Sequence, residues 1–190
     1  MNKYTLEEKY HLIKEEALKS NSKNPIEILK SIMNKEFINI HGPEHHFLDG
    51  VCFLVSFKNA EGKIDINSSI DLLAERTIKM PGAMCGYWGV CGSVTSLGAV
   101  FSIIHETGPL TANDYYKDNM EFTSQVIKKM SEIGGPRCCK RNAFISLSTG
   151  IEFVNKKYGV EMELDSISCE FSTKNKQCIG LKCPYYKGDK

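Results

Sequence analysis

No Asp, Glu, Lys or Arg occurs between Met80 and Ile104. Elsewhere charge is plentiful but balanced, 24 basic side chains against 23 acidic, for a net charge of +1. Without a basic excess there is no counterion-release drive, so nucleic acid is not an expected partner. An apolar N-terminal run is also missing. Met1-Asn2-Lys3-Tyr4-Thr5-Leu6-Glu7-Glu8-Lys9 is too charged for a signal peptide, and a cytoplasmic location is expected. The uncharged stretch is the one candidate membrane span, but Pro81, Gly82 and Gly86 break its first half. Its helical part, residues 93–104, covers roughly 18 Å, against about 30 Å for a bilayer core. It reads as a buried central helix, and no membrane association is expected. Internal repeats and low-complexity linkers are absent, so the 190 residues read as a single domain, 1–190.

What is present is mostly helical signal, with 42% hydrophobic and 25% charged residues, an ordinary globular balance. Thr5-Leu6-Glu7-Glu8 is a capping box ahead of Leu6, Tyr10, Ile13 and Ala17. Asn24-Pro25 starts a second helix, and the two predict an N-terminal hairpin over 1–36. A third helix opens at His41-Gly42-Pro43-Glu44-His45-His46 and runs to about Lys58, with Phe47, Val51, Leu54 and Val55 inward. Asn67 or Ser68 is the expected cap of a fourth, which Pro81 stops. Helices are also expected over 111–133 and from Pro136 to Tyr158, where Gly159 supplies the C-terminal stop. Beyond it Val160, Met162 and Leu164, then Ile167, Cys169 and Phe171, alternate as short strands do. The expectation is a compact, mainly α domain with a small β and loop appendage at 160–190.

Eight cysteines in a chain with no secretion signal favour metal binding or thiol chemistry over disulfides. Cys85 and Cys91 are each followed by glycine, and Cys91 lies at the start of the central helix, where orphan N–H groups stabilise a thiolate or anion. A tight core turn with two buried cysteines is the plainer alternative. In Gly134-Gly135-Pro136-Arg137-Cys138-Cys139-Lys140-Arg141, a helix start and three cations predict a thiolate at Cys138 or Cys139. Adjacent helical residues point about 100° apart, so one of the pair can face Cys91 while the other faces elsewhere. Eight residues separate Cys169 from Cys178 and four separate Cys178 from Cys183-Pro184, a spacing suited to iron–sulfur or zinc ligation without choosing between them. The fourth ligand is then Cys138 or Cys139, or a position left open to substrate. On the third helix His45, Asp49 and Cys52 share a face, and Asp49 could orient His45 for acid–base work.

His41-Gly42-Pro43-Glu44-His45-His46, Cys85-Gly86, Cys91-Gly92, the Gly134–Arg141 octet and Asn175-Lys176-Gln177-Cys178 through Cys183-Pro184 together resemble an uncharacterised cysteine-rich domain family. The likeness spans roughly residues 25–186. The resemblance implies an anaerobic setting in bacteria or archaea and a radical-SAM or methyltransferase partner, since such domains are fused to some members. It implies no reaction. The leading expectation is an iron–sulfur protein, with a 4Fe–4S cluster on Cys169, Cys178 and Cys183 plus Cys138 or Cys139. Cys85, Cys91 and His45 would act on substrate or hold a second metal. Arg137, Lys140 and Arg141 would attract a small anionic or sulfur-containing substrate, and Trp88 would wall its pocket. The alternative is a zinc-stabilised, non-catalytic accessory module.

Overall fold

The computed structural model describes residues 3–188; residues 1, 2, 189 and 190, at the ends of the segments 1–36 and 160–190, lie outside the described residues. Among the described residues eight α-helices follow one another: α1 (Leu6–Leu18), α2 (Pro25–Met33), α3 (Glu44–Asn59), α4 (Ile66–Thr77), α5 (Met84–Tyr87), α6 (Gly92–Ile104), α7 (Asp114–Ile133) and α8 (Cys139–Tyr158). The fold is mainly α. None of these helices is long and apolar enough to cross a membrane.

Local chemistry fixes most of the starts. The capping box of α1 closes in both directions, and Asn24 caps α2 by accepting the Ile26 N–H. The cap of α4 is Asp65, not Asn67 or Ser68: its carboxylate accepts the Ser68 N–H at 2.8 Å and places the start two or three residues earlier. Asn113 does the same for α7, which begins at Asp114, three residues after the expected boundary.

Two helices make the centre, and α3 is more enclosed than the predicted central helix α6. Every residue from Glu44 to Phe57 is buried, because α1, α2, α4, α6 and α8 all pack on α3. The crossing with α6 and α4 is close at Gly50, where a Cβ would sit 2.6 Å from Ser96 Oγ and 2.7 Å from Leu73 Cδ2. Phe53, Phe101, Phe122 and Phe153 stack edge to face or tilted where α3, α6, α7 and α8 meet. Along with the apolar residues, α3 buries Glu44, His45, His46 and Asp49 at its first turns. Glu44 is paired there with Lys9 of α1 at 2.9 Å.

Two expectations fail. No β-strand forms among the described residues; one isolated bridge joins Cys169 to Tyr186. Residues 160–164 are instead an irregular segment on the helices, turned by the Met162 N–H to Val160 O bond at 3.1 Å, with Met162 buried and Leu164 exposed. Both backbone groups of Met162 bond to the Asn155 amide, at 2.7 and 3.0 Å, and the Glu163 N–H donates to the Lys23 carbonyl, which leaves no ladder to build. Pro136 also does not start α8. Cys138 is its N-cap, with Sγ accepting the Arg141 N–H at 3.5 Å, so the helix begins at Cys139.

Candidate metal centre and thiol-lined cavity

The starts of α3, α6 and α8 converge on one cavity of about 280 Å³. Cys91 caps α6, Cys139 is the first residue of α8, and Cys85 arrives from α5; all three line the cavity with His46 and Asp49. Close approach is possible because Gly92, the first residue of α6, lacks a Cβ: one would lie 2.1 Å from the His46 ring. Among the described residues neither oxygen of Asp49 makes a hydrogen bond of normal geometry, although the Ser93 hydroxyl lies beside it, and Nδ1 of His46 has no partner. Asp49 therefore does not orient His45, and burial pushes its carboxyl up to about 7, with the nearby Ser93 hydroxyl and Lys140 pulling the other way. Cys52, expected on the same face, lies in the core and lines no part of this cavity.

A second, narrower space of about 20 Å³ is lined by Cys138, Cys169, Cys178 and Cys183. Two of these sulfurs accept a backbone N–H: Arg141 N donates to Cys138 and Gly180 N to Cys178, both at 3.5 Å. The 3₁₀ turn at Gly180–Lys182 and the bonds Cys169 N to Tyr185 O (2.8 Å) and Tyr186 N to Cys183 O (3.1 Å) hold the loop in this shape. Cys138 lines both spaces, so the vicinal cysteines form the wall between them. All eight cysteines are free. Among the described residues no three His, Cys, Asp or Glu side chains are grouped closely enough to hold a single metal ion.

Two asparagines that sequence reasoning passed over hold the thiols. Asn142 Nδ2 donates to Cys91 Sγ at 3.2 Å, and Asn175 Nδ2 donates to Cys138 Sγ at 3.5 Å. Asn175 Oδ1 accepts from the Gln177 N–H and from His41 Nε2 at 3.0 Å, which ties the cysteine loop to the entrance of α3. The available signal was spacing: Asn142 lies one helical turn beyond Cys138, and Asn175 lies three residues before Cys178.

The remaining predicted site residues divide. Arg137 is exposed and lines the larger cavity. Arg141 is buried, and its guanidinium donates to the Gly134 and Pro136 carbonyls of its own loop, at 2.8 and 2.9 Å. Lys140, 1% exposed, lines the narrower space but spends its ammonium on the Asn39 and Ile40 carbonyls. Trp88 is 66% exposed and lines neither space. His45 lines the cavity but is fully buried. Because a carbonyl only accepts, its 2.9 Å contact with Asn39 O puts the proton on Nε2. Burial, with Lys140 alongside, holds its pKa down to about 3. The expected low-pKa thiol does not arise at Cys139. Burial pushes it up to about 12, outweighing the Gly42 N–H and Lys140. Burial likewise raises Cys91, Cys169 and Cys183.

A family model covering residues 13–186 matches the sequence, that of DUF5714, a family of unknown function. The chain belongs to this family. Its DUF5714 region includes both cysteine groups and all but the first seven residues of α1. No curated protein and no solved structure matches it.

Proposed function

We propose that this DUF5714 protein is an iron–sulfur protein in which Cys138, Cys169, Cys178 and Cys183 hold a 4Fe–4S cluster beside a thiol-lined reaction cavity. The observation that carries the reading is the convergence of four thiols from two distant stretches of chain on one space, with backbone N–H groups donating to the Cys138 and Cys178 sulfurs. Such N–H groups orient cluster ligands and set the cluster's potential. The spacing of Cys169, Cys178 and Cys183, joined by Cys138, suits ligation of either metal, and metal analysis decides between them.

When bound, the cluster would supply electrons one at a time. The chain's own contribution is the wall Cys138–Cys139, which places Cys139, Cys91 and Cys85 next to it for redox or sulfur-transfer chemistry. Exposed Arg137 would draw in a small anionic or sulfur-containing substrate. An oxygen-sensitive centre suits the reducing cytoplasm of an anaerobe and a radical-SAM or methyltransferase protein as partner. A second reading, zinc-stabilised and non-catalytic, is favoured by one feature: the appendage has almost no regular structure of its own and would gain from a metal staple.

Anaerobic purification with iron, sulfide and zinc analysis separates the two. A brown protein with about four irons and four sulfides per chain is expected; a colourless protein with one zinc per chain would overturn the cluster. Cys138→Ser and Cys178→Ala should lose the iron, while Cys139→Ser should keep it, since Cys139 faces the other cavity.

A further inference from the structure

Residues 169–188 carry four lysines, Lys174, Lys176, Lys182 and Lys187, against one acid, Glu170, a net +3 in a chain of net +1. All four lysines are exposed, and every ion pair among the described residues is made elsewhere. The loop turns them outward because its other groups are tied down. Asn175, between Lys174 and Lys176, is buried, and the Lys182 and Cys183 N–H groups close onto the Ile179 and Gly180 carbonyls. Among the lysines lies a groove of about 270 Å³ lined by Ser172, Thr173, Cys178, Gly180 and Tyr186, each within two residues of one of them. Cys178 lines both this groove and the four-thiol space, and of the four cysteines there it is the exposed one. Next to Gly180, Leu181 is 92% exposed.

We infer that this basic face docks a small acidic electron-carrier protein, which exchanges one electron with the cluster at its Cys178 edge. The inference rests on the cluster reading of the four thiols. In each exchange the carrier's reduced centre loses one electron and the oxidised cluster gains it, or the reverse, with no bond made and no proton moved. Redox partners meet briefly through small interfaces, under about 1,200 Å². A ring of like charge around one exposed apolar side chain suits such an encounter, because the charges steer the approach and leave little packing to undo on release. Lysine fits this use, since its strongly hydrated ammonium makes loose rather than bidentate contacts. An acidic protein is favoured over two other anionic surfaces. Nucleic acid is held by exposed aromatic platforms, and Tyr185 and Tyr186 are half-buried. A membrane needs an apolar face, and Leu181 is the one large apolar side chain exposed between residues 169 and 188.

Calorimetric titration of the anaerobically purified, full-length protein with an acidic ferredoxin and an acidic flavodoxin tests it, once iron and sulfide have been measured. At least one carrier should bind at about 20 mM salt, and at least about tenfold more weakly at about 0.5 M. Two paired reversals, Lys174→Glu with Lys176→Glu and Lys182→Glu with Lys187→Glu, should each weaken binding at least about tenfold with the iron content unchanged. Lys63 and Lys117 lie in the spaces beside Tyr158, at the far end of α8. Lys63→Glu with Lys117→Glu makes the same change in net charge and should leave the affinity within about twofold. Stopped-flow mixing of reduced carrier with oxidised protein, and the converse, should show electron exchange in the direction the potentials favour, slowed by the same reversals. No binding by either carrier, wild-type affinity in both reversals, or a complex that exchanges no electron either way would overturn the inference and leave the cluster standing. A single-stranded RNA oligonucleotide bound more tightly than either carrier at about 0.15 M salt would overturn it in favour of nucleic acid. A protein without iron and sulfide fails at the cluster, which takes the inference with it, and the metal analysis reads that failure before any carrier is added.

Discussion

At the residue scale, the N-terminal turns of α3 and α8 are joined through one carbonyl. Asn39 O accepts from both His45 Nε2 and the Lys140 ammonium, which also holds Ile40 O and lies over the Phe171 ring. Lys140 therefore ties the entrance of α3 to α8 and to the cysteine loop. Lys140→Met keeps the stem but leaves the Ile40 carbonyl without its donor and Asn39 O with His45 alone. It should cost about 3 kcal/mol in urea unfolding, whether or not a ligand is present. His45 gives a pH signature. Its folded-state pKa, about 3, lies below the unfolded value near 6.5, so unfolding takes up a proton between those limits. Stability from the neutral ring is complete above about pH 6.5 and falls with pH by up to about 1.4 kcal/mol per unit towards pH 3. Lys140 and His41 nearby strengthen this effect and Glu44 opposes it. His45→Gln can still donate to Asn39 O but cannot titrate, so its unfolding free energy should fall less steeply between about pH 6.5 and pH 4. An unchanged slope would show that another group sets the acid response.

Packing between helices decides what happens at the element scale. Gly50 lies where α3 meets α4 and α6, and a methyl there would meet Ser96 Oγ, Leu73 Cδ2 and, at 3.1 Å, Val100 Cγ2. Gly50→Ala gains about 1 kcal/mol of helix propensity but forces three neighbours to shift, for a net loss of about 1–2 kcal/mol. The melting temperature should drop by roughly 3–6 °C. Gly86→Ala, with open space around it, should leave it within about 2 °C. The same distinction explains what could be read from sequence. Helices whose ends are set by nearby residues, such as Thr5 with Glu8 or Asn24 with Pro25, were legible because the cap and its partner lie within one turn. The appendage was not: Met162 takes its hydrogen bonds from Asn155 and Glu163 from Lys23, and no periodicity reports such partners. The site was legible as three cysteine groups. Its division into two spaces was not, because it depends on Cys138 being the cap and Cys139 the first residue of α8. Asp49 was visible as a face-sharing acid; its complete burial is a property of the five helices packed on α3.

For the whole molecule, the consequence is an unequal distribution of stability. The helices around α3 are held by continuous apolar packing, whereas residues 160–186 contain one 3₁₀ turn, one isolated bridge and only a few buried anchors, among them Met162, Phe171 and Asn175. Three of the four cysteines of the narrower space belong to this weakly structured segment, and the fourth, Cys138, belongs to the start of α8. Metal on those four thiols would cross-link the loop to the helical body, so metal-binding energy would appear as folding energy of the loop. Removing iron from the anaerobic protein with a chelator should accelerate amide exchange across residues 169–186 and at Arg141, whose N–H bonds to Cys138 Sγ, by at least tenfold. The centres of α3 and α6 should be unaffected, because their hydrogen bonds open only with the global fold. The thiol cavity would respond in between. His41 is bonded to Asn175, so loosening the loop frees one of the residues lining the cavity while Asp49 and Cys91 stay fixed by the helices. Equal exchange in the loop with and without iron would show that the metal does not anchor it. Accelerated exchange in α3 as well would show that the appendage and the helical body unfold as one unit.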